Sequence, residues 1–111
     1  MQLATPLIAY WPAGIAARGK LTPEVGHVVD LMPTFLELAG AKYPKSFQGN
    51  ELTPLAGKSL MPALKDGRLG ERTLGWEHEG NRAFRVGDWK VVAAFRGEWE
   101  LYDLKSDHTE L

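Results

Sequence analysis

The side chains best suited to acid–base or metal chemistry are three histidines and the carboxylates beside one of them. His27, His78 and His108 lie far apart in the sequence, and Glu77 and Glu79 flank His78. Two carboxylates around an imidazole could ligate a metal ion. If this run is a strand, however, the two glutamates share one face and the histidine points to the other. We therefore expect a half-exposed polar strand end here, and we predict no metal site in the chain.

Candidates for nucleophilic catalysis are few. The chain has no cysteine, which excludes a cysteine nucleophile, a thiolate metal site and a disulfide framework within it. Ser46, Ser59 and Ser106 each follow a lysine, and none lies in the glycine-flanked context of a nucleophile elbow. The segment 67–70 lacks the Lys-Ser/Thr pair that ends a phosphate-binding loop. From the residues alone we predict no catalytic residue and no self-sufficient active site.

Composition limits the class of protein further. The chain has 111 residues, of which 44% are hydrophobic and 24% charged, a balance typical of a globular domain. The net charge of −1 excludes a strongly basic nucleic-acid binder. No apolar run approaches the roughly 20 residues that span a bilayer, so no membrane partner is expected. The 12 glycines and 7 prolines are dispersed, which predicts short elements joined by many turns.

The first part of the chain predicts one strand and one or two helices. Residues 7–11 are continuously apolar, as in a strand buried on both faces, and such a strand needs partners for its backbone groups. The best helix signal begins after Asp30, a candidate N-cap, and ends before Gly40, a candidate C′ residue. Ser59 could cap a second, short helix that ends near Gly67. Residues 41–58 are predicted to be irregular.

The second part predicts a small antiparallel meander of four strands. The strands are expected at residues 73–79, 82–86, 89–95 and 99–103, with turns at Gly80-Asn81 and Gly87-Asp88. Aromatic side chains are frequent here and are available to cover the sheet.

The order and spacing of these segments resemble the C-terminal region of arylsulfatase-type sulfatases, in the alkaline-phosphatase-like superfamily. The most specific segments are Asp-Leu-Met-Pro-Thr at 30–34, Glu-His-Glu-Gly-Asn-Arg at 77–82 and Trp-Glu-Leu-Tyr-Asp at 99–103. Weaker matching segments lie at 6–15, 57–64 and 87–91. The resemblance extends from near residue 5 to the end of the chain.

The resemblance implies an α+β fragment of an α/β sulfatase. Residues 1–70 would be the end of the catalytic α/β domain, and residues 71–111 the small antiparallel C-terminal subdomain, incomplete here. The implied function is that of the C-terminal fragment of a sulfuric ester hydrolase. The alternative is a non-catalytic binding or interaction domain derived from a sulfatase tail. An upstream reading frame that contains Cys/Ser-x-Pro-x-Arg would favour the first reading, and a genuine start codon would favour the second.

The resemblance also implies which functional groups are missing from this chain. Sulfatases of this type use a formylglycine, made from Cys or Ser in a Cys/Ser-x-Pro/Ala-x-Arg motif, together with calcium and a sulfate-contacting lysine. All of these lie upstream in the family. This chain begins Met-Gln-Leu-Ala-Thr-Pro, where the family has Gly-Gly-x-Arg-Val-Pro. We therefore expect no cofactor in this chain, calcium and formylglycine in the parent enzyme, and no activity from the chain alone.

The one site that the resemblance implies for this chain is part of the substrate rim, the residues around the mouth of the active-site cleft. The implied substrate-binding residues are His78, Asn81 and Arg82, which could hydrogen-bond the alcohol or sugar part of a sulfate ester. The alternative is that these residues cap the sheet and pack against the rest of the protein.

The expected partner is the remainder of the sulfatase chain. Without it, the flank of strand 7–11 and the apolar face of helix 30–40 would be exposed, and exposed edges and apolar patches favour self-association. We therefore predict a dimer or higher oligomer. The sequence determines neither the ester hydrolysed nor the compartment, and the resemblance allows a periplasmic or secreted parent.

Overall fold

The computed structural model describes residues 5–107, which divide into two compact units. One unit is Leu7–Leu69, and the other contains the chain from Gly70 onward. The first carries a 3₁₀ turn at Val28–Asp30, helix α1 at Leu31–Ala39, strands β1 and β2 at Ser46–Phe47 and Asn50–Glu51, and helix α2 at Met61–Asp66. The second carries strands β3 Thr73–His78, β4 Asn81–Val86, β5 Trp89–Ala93 and β6 Glu100–Asp103. The predicted α+β class is confirmed.

The predicted strand at residues 7–11 is absent, which corrects that part of the expectation. These residues adopt no strand, and Leu7, Ile8 and Tyr10 are largely exposed. Trp11 instead begins a turn, because its carbonyl accepts the N–H groups of Gly14 and Ile15. An extended segment becomes a strand only when a neighbour takes its backbone hydrogen bonds. Within residues 5–107 no segment pairs with this one.

The predicted bounds of α1 are confirmed, but Asp30 acts differently from a helix cap. Its side chain makes no capping bond to α1. The carboxylate is fully buried and accepts the backbone N–H of His27 at 2.7 Å and that of Lys58 at 2.9 Å. Thr34 Oγ1 donates to the Asp30 carbonyl at 2.6 Å and accepts the Leu60 N–H at 2.8 Å. These five residues, here called the Asp30 junction, fasten the segment 58–60 to the start of α1.

Two further features of this unit follow from local chain chemistry. Gly40 ends α1 at φ 62°, a left-handed conformation that glycine adopts without strain. Ser59 Oγ accepts the Met61 N–H at the start of α2, and Gly67 ends that helix at φ 75°. The segment predicted to be irregular contains the short β1–β2 hairpin, whose turn places Gln48 and Gly49 at positive φ.

None of the helices between residues 5 and 107 is long and apolar enough to cross a membrane.

The second unit is a four-stranded antiparallel meander in the order β3-β4-β5-β6, as predicted. The Gly87-Asp88 turn is confirmed, since Val86 pairs with Trp89. The first turn is Glu79-Gly80 rather than Gly80-Asn81, because Asn81 pairs with His78. Both turn residues have positive φ, 51° and 82°, as a two-residue hairpin turn of this kind requires.

The register gives the sheet two different faces. Leu74 is buried on one of them, on the same side as Trp76 and Ala83. The other face is apolar and mostly half exposed; here called the aromatic face, it comprises Phe84, Val86, Trp89, Val91 and Leu101, with Trp99 directly before β6. Apolar side chains of this size on one sheet face are typical of a surface that another polypeptide or a ligand covers.

Candidate functional site

Two loops at one end of the meander bring the predicted rim residues together with residues from β5–β6. This region, here called the sheet tip, comprises residues 77–82 and 94–99. Asn81 joins the two loops, because its Nδ2 donates to the His78 carbonyl at 3.0 Å and its Oδ1 accepts the Phe95 N–H at 3.1 Å. Both the amide nitrogen and the amide oxygen of Asn81 are therefore hydrogen-bonded. Through these two bonds Asn81 holds the two loops of the sheet tip together.

The Glu79-Gly80 turn is fixed by its neighbours. The Gly80 N–H donates to Glu77 Oε1 at 2.8 Å. A Cβ on Gly80 would clash with the ring of Phe95, so the aromatic ring packs directly against this glycine. With its φ of 82°, Gly80 is doubly restricted to glycine. The turn and the following loop thus form one packed unit.

Arg82 stacks on an aromatic ring. Its guanidinium carbon lies 4.9 Å from the centroid of Trp99, within the range of a cation–π contact. Arg82 and Trp99 both lie on the side of the aromatic face. Arg82 is two residues before Phe84 in β4 and pairs with Ala93, and Trp99 is two residues before Leu101. A second such pair forms in the adjoining loop, where the Arg96 guanidinium lies 5.0 Å from the Phe95 ring.

His78 lies at the tip but on the other face. It pairs with Asn81 in the register, whereas Glu77 pairs with Arg82 on the aromatic face. The imidazole is largely exposed, and its Nε2 is 4.0 Å from Glu79 Oε2. The structure therefore brings all three predicted residues to one tip, with His78 and Arg82 projecting from opposite faces and Asn81 between the loops.

Sequence reasoning did not single out Trp99, Phe95 and Arg96 as site residues. Trp99 belongs to a segment more than ten residues after Arg82, with the whole of β5 between them. Their contact depends on the strand register and on the loop at 94–99. The sequence carries one signal for Trp99. Side chains alternate between the two faces of a strand, so Trp99 is expected on the same face as Leu101.

The residues present do not fit calcium or a formylglycine. Across the described range, no three histidine, cysteine, aspartate or glutamate side chains gather into a set that could hold a metal ion. Ser59 and Ser106 are engaged with Met61 N–H and Asp103, respectively, without a histidine in either contact. His108 lies outside the described residues. The tip presents guanidinium, imidazole and indole groups, and its residues 77–82 and 94–99 include no serine, threonine or cysteine.

Comparison with known proteins identifies the family to which this chain belongs. All 111 residues match the family model described as N-sulphoglucosamine sulphohydrolase, C-terminal. The chain belongs to this family of sulfatase C-terminal regions. The predicted resemblance to the C-terminal region of a sulfatase is confirmed at the level of the family.

Several curated sulfatases are similar to this sulfatase C-terminal region over most of its length. An N-acetylglucosamine-6-O-sulfatase from Bacteroides thetaiotaomicron is 33% identical over 113 residues, covering 96% of this chain and 20% of the relative. An N-acetylgalactosamine-6-sulfatase from Sus scrofa is 37% identical over 100 residues, covering 87% and 18%. An uncharacterized sulfatase from Schizosaccharomyces pombe is 35% identical over 99 residues, covering 82% and 18%. The chain thus spans about a fifth of the length of these relatives.

Proposed function

We propose that this sulfatase C-terminal region completes an arylsulfatase-type enzyme and supplies part of its substrate rim. The observation that carries the proposal is the sheet tip, which groups exposed binding side chains without any nucleophile–base pair in the described residues. The formylglycine and the calcium ion would come from the rest of the sulfatase chain. Sulfate-ester cleavage needs an activated nucleophile and a metal that offsets the charge of the sulfate oxygens.

The proposed substrates are sulfate esters of amino sugars. The similar proteins from Bacteroides thetaiotaomicron and Sus scrofa are named for the 6-sulfates of N-acetylglucosamine and N-acetylgalactosamine. Sugar hydroxyls accept and donate hydrogen bonds, so a guanidinium such as Arg82 and an imidazole such as His78 are suitable partners. Asn81 would act indirectly, by holding the two loops that present them.

The alternative is a binding or interaction domain that acts without the catalytic part. The exposed aromatic face is the observation that favours it, because such a surface also fits a partner protein. The two proposals differ in what precedes the chain: the first requires an upstream segment with the Cys/Ser-x-Pro/Ala-x-Arg motif. We propose no nucleic-acid or membrane partner under either.

Replacing Arg82 with alanine in the full sulfatase tests the rim. We expect KM for an amino-sugar 6-sulfate to rise about tenfold to a hundredfold with a smaller change in kcat, because a charge-assisted substrate contact of about 1.5–3 kcal/mol is lost in ground and transition states alike. Steady-state kinetics measure both constants. Arg68→Ala is the matched control, since Arg68 is exposed and lies in the other unit. An unchanged KM in the Arg82 variant, with the control also unchanged, contradicts the rim role.

The proposed main partner is the remainder of the sulfatase chain. It would cover the part of the aromatic face that lies within the strands, leaving Trp99 at the sheet tip open, and the stripe of Met32, Phe35 and Leu38 on α1, all of which are about half exposed. The relatives are about five times as long as their matched segment, which leaves ample polypeptide to bury these surfaces. The same surfaces, together with the exposed segment 7–11, would make the isolated chain associate with itself.

Light scattering on the isolated chain tests self-association. We expect a dimer or higher oligomer at high concentration, because apolar side chains on α1 leave water when two copies meet. Phe35→Glu should weaken the association about tenfold or more, since it places a charge within the apolar stripe. Glu37→Gln, a change at an exposed position of the same helix, is the control. A monomeric mass at high concentration contradicts the proposal.

A further inference from the structure

Trp99 combines an exposed indole with a stacked guanidinium, that of Arg82. We propose that this indole is the surface on which the pyranose ring of the substrate packs, and that Arg82 stiffens it and binds a ring hydroxyl. The inference rests on the proposed function and deepens it. It assigns recognition at the sheet tip to the sugar ring rather than to the sulfate group.

The geometry supports a stacking surface. The Arg82 guanidinium lies 4.9 Å from the ring centroid, and Trp99 nevertheless keeps 54% of its surface exposed. A flat indole with an open side offers the C–H groups of a sugar ring a large apolar contact, while its orientation has been fixed before the ligand arrives. A guanidinium carries five N–H donors, so Arg82 can stack on the indole and still offer donors to a ligand.

The charges at the tip argue against a site for the sulfate. Two guanidiniums, Arg82 and Arg96, lie in a region that also carries the carboxylates of Glu77, Glu79 and Glu98. Such a mixed set has no excess of positive charge to attract an anion. It does suit hydroxyl groups, because each hydroxyl can donate to a carboxylate and accept from a guanidinium.

The tip is also held in place by the chain. Asn81 ties the β3–β4 turn to the loop before Trp99, and the Phe95 ring rests on Gly80. The backbone of Arg82 is fixed in the sheet by its pairing with Ala93, and its side chain stacks on Trp99. A site whose side chains are positioned in this way loses less conformational entropy on binding.

Trp89 provides an internal control. It lies on the same aromatic face with 55% of its surface exposed, almost the same as Trp99. Its neighbours in the register are Val86 and Asp103, so it has no guanidinium in the pairing positions. If exposed indole surface alone bound sugars, both tryptophans would respond equally.

A titration of the 111-residue chain, followed by NMR at the indole N–H groups, tests the site with N-acetylglucosamine and N-acetylglucosamine 6-sulfate as probes. We expect both sugars to shift the Trp99 signal with similar millimolar affinity, about 4 kcal/mol at 1 mM. Trp99→Ala should weaken binding about tenfold, Trp99→Phe should retain part of it because a flat ring remains, and Trp89→Ala should leave it unchanged. The amide spectrum of each variant shows that the sheet is intact.

Three results overturn the site: no shift at Trp99 up to about 50 mM sugar, equal shifts at Trp89, or binding of the 6-sulfate alone with displacement by inorganic sulfate. The last result would make the tip an anion site. Failure of this proposal is distinguishable from failure of the proposed function, because turnover of sulfate esters by the full enzyme is measured separately. Ring binding without turnover refutes the enzyme, whereas turnover without ring binding refutes the Trp99 site.

Discussion

Asp30→Ala is expected to lower the free energy of unfolding of the Leu7–Leu69 unit by about 3 kcal/mol or more. The Asp30 carboxylate is fully buried and accepts two backbone N–H groups, from His27 and Lys58. Alanine leaves both donors without this acceptor in a region from which water is excluded. It also removes one of the two bonds that fasten the segment 58–60 to the start of α1, so the cost is larger than that of one surface hydrogen bond.

Urea unfolding followed by the circular dichroism of the helices measures this loss. Asp66→Ala is the matched control, because that carboxylate is exposed at the end of α2 and its removal should change stability by less than about 0.5 kcal/mol. Asp30→Asn should fall between the two, since an amide oxygen replaces only one of the two acceptors. Equal midpoints for Asp30→Ala and the Asp66 control would show that the Asp30 junction does not stabilise this unit.

The helices and the meander were predictable because their signals are local. The helix end at Gly40 and the turn at Gly87-Asp88 follow from residues next to one another in the chain. The role of Asp30 was not predictable in the same way. Its bond to Lys58 spans 28 residues, and a local reading of the sequence favours the simpler cap on α1.

Two errors have related physical causes. Residues 7–11 have the apolarity of a buried strand, but apolarity does not supply a hydrogen-bonded neighbour, and none is paired with them in residues 5–107. The first turn of the meander was predicted one residue too late, because Gly-Asn and Glu-Gly are both acceptable turn pairs. The choice is made by the amide of Asn81, which bonds to His78 and Phe95 and so keeps Asn81 in β4.

Only the part of the candidate site that lies in a segment resembling sulfatases was predictable. The segment that contains His78, Asn81 and Arg82 is distinctive in sequence, and the structure places it at the sheet tip. The pairing of Arg82 with Trp99 depends on the register of three strands and on the loop at 94–99. Neither residue type nor spacing specifies such a contact between separate strands.

The second large effect concerns catalysis. We expect the isolated 111-residue chain to hydrolyse sulfate esters more slowly than the full sulfatase by about six orders of magnitude, which is the scale of loss when catalytic groups that act as a unit are removed. The chain has no cysteine, and the hydroxyls of Ser59 and Ser106 bond to the Met61 N–H and to Asp103, respectively. The binding groups proposed at the tip would hold a substrate but would not replace the nucleophile.

Turnover of N-acetylglucosamine 6-sulfate, with calcium added, by the purified chain and by the full sulfatase tests the central claim most directly. We predict sulfate release by the full enzyme and none above background by the chain alone. Sulfate release that copurifies with the chain alone would contradict the claim that this region contributes binding groups without the catalytic centre.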